Sequence, residues 1–141
     1  MKLALASDHG GFVLKEQIKA HLQTSDIEII DLGTHSEESV DYAIYGKACG
    51  EIVASGQADR GIVFCGTGIG ISIAANKVKG IRCALATNVF MAEMSRRHND
   101  ANMLALGGRV LELKEATEIV DIWLTTEFDG GRHQHRIDML G

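Results

Sequence analysis

The sequence predicts a three-layer, doubly wound α/β domain: a five-stranded parallel sheet in the order 2-1-3-4-5 with helices on both faces. Three observations carry this expectation. Short, almost continuously apolar runs recur along the chain, segments with helical spacing alternate with them, and glycine-rich loops follow the first and third runs. Continuous apolar character marks strands covered on both faces, and helix-length crossovers make such strands parallel with right-handed connections.

The first strand, Lys2 to Ser7, stops at Asp8-His9-Gly10-Gly11, where glycine opens a helix whose inner face is marked by Leu14, Ile18 and Leu22. Ile27 to Asp31 forms the second strand. Tyr45, Ala48, Cys49, Ile52 and Val53 then repeat at helical spacing before the third strand, Gly61 to Cys65. Its loop, Cys65-Gly66-Thr67-Gly68-Ile69-Gly70, runs into the helical stretch Ile71 to Lys77. Arg82 to Thr87 is the fourth strand, followed by a helix ending near the polar knot Ser95 to Asn102; Met103 to Leu106 is the fifth. Ala116, Ile119, Val120, Trp123 and Leu124 mark the last long helix. Each strand run is too short for a lone helix and is rich in Ile, Val, Leu and Ala. Proline is absent and no linker or repeat interrupts the chain, so residues 1–141 are expected to form one domain.

Composition excludes several classes. With 45% apolar and 23% charged residues the chain has enough hydrophobic material to fold. A net charge of -5 argues against binding nucleic acid through its phosphates, and no apolar stretch is long enough for a membrane span or signal segment. The three cysteines, without C-x-x-C spacing, supply neither a disulfide framework nor a zinc cage. A cytoplasmic protein with no cofactor is the expectation.

In doubly wound sheets, ligands bind beyond the carboxyl ends of the strands, where strand order reverses. The loops after strands one and three are therefore expected to be neighbours and to gather the functional side chains. Gly66, Gly68 and Gly70, between a strand and a helix, let backbone N–H groups converge on an anion. The loop lacks the third glycine of a dinucleotide fingerprint, since position 71 is Ile, and for the same reason lacks the arginine of a C-x5-R phosphatase. Cys65, poised before a helix N-terminus, is a candidate nucleophile or base. Cys49 and Cys83, within apolar patterns, read as small core residues. Asp8 suits a helix cap, or a site beside His9. In the tail, Arg132 and Arg136 stand four apart, on one face if helical, and suit forked contacts to phosphate. His133-Gln134-His135 alone is weak support for a metal, and none is expected.

Taken together, Ser7 to Gly11, Cys65 to Lys77, Ser95 to Asp100 and Gly130 to Arg136 resemble the ribose-5-phosphate isomerase B family over nearly the whole chain. The resemblance implies a metal-free aldose–ketose isomerisation of a phosphorylated pentose, through ring opening and a cis-enediolate. By matching motif, Cys65 resembles the base that moves a proton between C1 and C2, and His98 the acid assisting ring opening, with Asp8 and Thr67 nearby. The backbone of Gly66, Thr67, Gly68, Ile69 and Gly70 would hold the oxyanion. His9, Arg109, Arg132 and Arg136 are similar to substrate and phosphate ligands, Asn99 to a sugar-hydroxyl contact, and Tyr42 to a pocket wall, although Ala43 stands where many relatives have proline. The family forms homodimers, sometimes homotetramers, whose sites draw on both subunits, which would place segment 129–141 at an interface. A six-carbon substrate such as allose or galactose 6-phosphate, and a non-catalytic nucleotide- or flavin-binding module, are the alternatives.

Overall fold

A computed structural model describes all 141 residues. Chain order is β1 (Lys2–Ser7), α1 (Phe12–Leu22), β2 (Glu28–Asp31), α2 (Tyr42–Ala54), β3 (Arg60–Cys65), α3 (Ile69–Asn76), β4 (Cys83–Leu85), α4 (Val89–Arg97), β5 (Met103–Gly107), α5 (Leu113–Thr125) and α6 (Arg132–Asp138). All strand pairings are parallel. The result is the expected Rossmann-like, three-layer arrangement.

The pleat sends alternate residues to two separate cores. Leu3, Leu5, Ile62, Phe64, Leu104 and Leu106 meet α1, α4 and α5 around Trp123, while Ala4, Ala6, Val63, Cys65, Met103 and Ala105 meet α2 and α3. Side-chain size differs between the faces. On the second face α2 sits close to α3, and a Cβ at Gly46 would lie 2.9 Å from both Ala74 Cβ and the Ile71 carbonyl.

The sheet order is β2-β1-β3-β5-β4, so the last two strands stand in the reverse of the expected sequence. The reason lies in their apolar content. Every residue of β5 is buried, which suits an interior strand, whereas the three residues of β4 are half-buried and suit an edge. That edge is partly closed by Asn76: its Oδ1 accepts from Cys83 N–H at 2.8 Å and its amide donates to the Cys83 carbonyl at 3.0 Å. The reversal leaves the expected switch between β1 and β3 intact. No helix is long and apolar enough to cross a membrane.

Candidate active site

Loops from β1, β3 and β5 meet at the carboxyl end of the sheet. Asp8 N–H donates to the Phe64 carbonyl at 3.1 Å; Gly108 and Arg109 N–H groups donate to the carbonyls of Cys65 and Gly66 at 2.8 and 2.9 Å. The loops touch closely at their glycines. A Cβ at Gly10 would lie 3.0 Å from Gly66 N, and one at Gly66 would lie 3.1 Å from Arg109 Nη1, so the guanidinium rests on the loop. Gly70 is in turn covered by the Tyr42 ring, 2.7 Å from where a Cβ would sit. Asp8, Tyr42, Cys65 to Gly70 and Arg109 thus share one locus.

The loop geometry is built around the thiol. Gly68, at φ +82°, turns its N–H onto Cys65 Sγ at 3.1 Å, and Thr67 Oγ1 accepts from Ile69 N–H at 3.2 Å. The amides of Gly66, Thr67 and Gly70 have no protein acceptor, leaving donors free where α3 begins. Asp8 Oδ1 accepts from Gly11 N–H at 3.1 Å, which closes the turn leading into α1, whose N-cap is Gly11 itself, and Asp8 Oδ2 is left unpartnered. His9 Nδ1 accepts from Val40 N–H at 3.1 Å, which makes Nε2 the protonated nitrogen of the neutral ring. Burial pushes Cys83 up to about 12 and Cys49 higher still; Cys49 is a core residue as read, whereas Cys83 is half-buried on the edge strand. Cys65 itself is only 4% exposed and lines none of the chain's four cavities.

The remaining expected site residues are elsewhere, which corrects the expectation of a single cluster. His98 caps the C-terminus of α4, which has run back along the sheet from β4, and Asn99 follows it. The next residues lead into β5 at its amino end, where Asn102 O accepts from Gly61 N–H at 3.1 Å. Gly61 pairs with Met103, and Cys65 with Gly107, so four strand steps, about 13 Å, separate the two ends. His98, Asn99, Arg132, His133 and Arg136 line a cavity of about 370 Å³ at this opposite edge. Alternation explains the tail: His133 and Ile137 form the buried face of α6, and Arg132 and Arg136 the exposed one. Arg97 ties the tail to α4 through Asp129, at 3.3 Å.

Sequence reasoning missed His133 as a site residue. Its ring stacks on His98 with centroids 4.3 Å apart and planes 13° from parallel. Burial, then the neighbouring His98 and Arg132, lower its pKa from 6.5 against the opposing pull of Asp129. The available signal was the four-residue spacing from His133 to Ile137. Ligating atoms of His98, Asp129 and His133 lie within 4.8 Å of one another. Three guanidiniums surround this group, and Asp129 already pairs with Arg97, so its charge favours an anion over a cation.

Comparison with known proteins agrees over the whole length. Ribose-5-phosphate isomerase B of Escherichia coli is 49% identical over 139 residues, covering 99% of this chain and 93% of that protein. The structure of ribose-5-phosphate isomerase B from Clostridium thermocellum superposes with a TM-score of 0.99 at 58% identity, covering 100% of this chain and 95% of that one. The Mycoplasma genitalium enzyme of the same name, described with bound ribulose 5-phosphate, has a TM-score of 0.94 at 40% identity, covering 99% of this chain and 93% of that one. The family model described as Ribose/Galactose Isomerase matches residues 3–140, and the chain belongs to that family.

Proposed function

We propose that this chain interconverts ribose 5-phosphate and ribulose 5-phosphate at a site completed by a second copy of itself. The observation that carries this reading is the division of the machinery. A thiol among free amides stands at the carboxyl end of the sheet, and an imidazole pair with two unpaired arginines at its amino end, too far apart to hold one pentose phosphate. Juxtaposing opposite edges of two chains unites them and covers the thiol with a cavity that one chain lacks.

In this arrangement Arg132 and Arg136 of one copy hold the phosphate, with His9 of the other donating from Nε2. His98 gives a proton to the ring oxygen as the C1–O bond breaks, and the O1 hydroxyl proton passes to Asp8. The Cys65 thiolate then removes the C2 proton of the open aldehyde. Charge gathers on O1, beside the amides of Gly66, Thr67 and Gly70, where fixed donors act most strongly on the transition state. The thiol returns its proton to C1 while O2 becomes the carbonyl, its hydroxyl proton passing to O1; Thr67 Oγ1 stands near for that transfer. Asn99 contacts a hydroxyl, and Tyr42 and Arg109 wall the site. No electron acceptor is consumed.

Turnover of ribose 5-phosphate should be compared with that of allose and galactose 6-phosphates, each with and without a chelator. The pentose ester should be preferred and the chelator should have no effect. Cys65→Ala should lower kcat by about 10³-fold, within the range for loss of a positioned base, while calorimetry still detects substrate binding. Unchanged turnover in that variant would remove Cys65 from its role.

A further inference from the structure

We propose that His98 and His133 form a single proton-carrying unit that takes up one proton from solvent when a dianion settles between Arg132 and Arg136. Four observations place these groups in one electrostatic system. The two imidazoles are stacked at 4.3 Å, and both line the 370 Å³ cavity that the two arginines also line. Arg97 at the end of α4 is engaged by Asp129 at 3.3 Å and by Glu93 at 3.7 Å, so this third guanidinium is already matched by carboxylates. On α6, Asp138 accepts from Gln134, and neither Arg132 nor Arg136 has a carboxylate within ion-pairing distance.

The basin therefore sets two arginines that have no carboxylate partner beside two rings. Like charges at about 4 Å cost about 1 kcal/mol in water and several times more where solvent is displaced, so the stacked rings share one proton at most. The downward push on His133 from burial and from its cationic neighbours agrees with this. A ligand of charge −2 offsets both arginines and removes their share of that push, while the part due to burial stays. Linkage then requires the converse, that the anion binds more tightly when the pair is protonated. His133 is thus a positioning residue: it holds the His98 ring flat and shares its proton. If His98 opens the sugar ring, as in the proposed function, its acid form is supplied by the substrate's own phosphate group.

Sulfate is the probe, because it stays a dianion throughout the titration and contributes no proton of its own. Histidine signals of the full-length protein would be followed by NMR from pH 5 to 8, in sodium sulfate and in sodium chloride of equal ionic strength. The midpoint of the His98–His133 pair should rise by about half to one pH unit in sulfate, in line with a nearby opposite charge, while that of His21 stays put. The Arg132→Gln/Arg136→Gln double variant should lose the shift, and in His133→Gln the His98 midpoint should move. If His133→Gln does not fold, the wild-type titration in the two salts still decides. A pair whose midpoint is the same in both salts, or that shifts equally without the arginines, overturns the proposal. The readout needs no turnover, so a protein that shows the shift yet fails to isomerise sugar phosphates loses the proposed function and keeps this linkage.

Discussion

Single side chains divide into those whose role follows from residue type and those whose role follows from a neighbour. Arg136 is of the first kind. It is exposed and has no carboxylate partner, so its removal should leave the fold intact. Arg136→Ala should raise KM for ribose 5-phosphate about tenfold, the loss of one charge-assisted hydrogen bond, with almost no change in Tm. The cysteines show the second kind. All three are C-terminal or interior to apolar runs in sequence, yet burial holds Cys49 and Cys83 as thiols at neutral pH, and Cys65 alone faces the glycine loop. Limited treatment with iodoacetamide should therefore label Cys65 first, and ribose 5-phosphate should slow the labelling. Peptide mass spectrometry showing Cys83 modified at the same rate would count against this assignment.

At the scale of elements, the floor of the site depends on an ion pair that helical patterning did not reveal. Lys15 stands at i, i+3 and i+7 with Ile18 and Leu22, so its position belongs to the buried face although its charge does not; it is 0% exposed and meets both Asp31 oxygens at 2.9 Å. Asp31 also accepts from Lys19 and from Gly33 N–H, and Gly33 and Thr34 pair with the backbone of Ser7, directly before Asp8. Burial pushes the Asp31 carboxyl up, but the hydrogen bonds from Lys15, Gly33 and Lys19 outweigh it and hold the carboxyl below its usual 3.8. The folded state thus binds fewer protons here than the unfolded chain. The stabilisation is complete above that value and disappears as pH falls through the lower folded one. Acid melts monitored by circular dichroism should show Tm falling below about pH 4, with the slope reduced in Asp31→Asn. At neutral pH that variant should cost a few kcal/mol, about 2–3, because the buried Lys15 charge keeps only its pairing with the half-exposed Glu16.

For the whole molecule, the decisive feature is the distribution of chemistry over two ends of one sheet. A strand–helix–strand unit returns the chain to the amino edge after each helix, so His98, after α4, cannot reach the loop after β3 in its own chain. Two inactive variants should therefore complement each other. Mixing unfolded Cys65→Ala and His98→Asn chains and refolding them together should restore roughly a quarter of wild-type activity, since half of randomly formed dimers are mixed and each contains one intact site. Recovery of no activity would place both residues in the same chain's site.

The order of elements, the two-faced strands and the glycine loop with its thiol were legible in the sequence, because each depends on local spacing and on residues adjacent in the chain. Three features were decided only by tertiary packing. The exchange of β4 and β5 turns on which strand can be covered on both sides, a comparison that no single segment contains. The burial of Lys15 needs a carboxylate from another element, and the stacking of His133 on His98 needs α6 to return to the C-terminal end of α4. Motif reading could name Cys65, His98, Arg132 and Arg136 together, but only the path of the backbone separates them by the height of the sheet, since sequence records which groups are present and topology sets the distances between them.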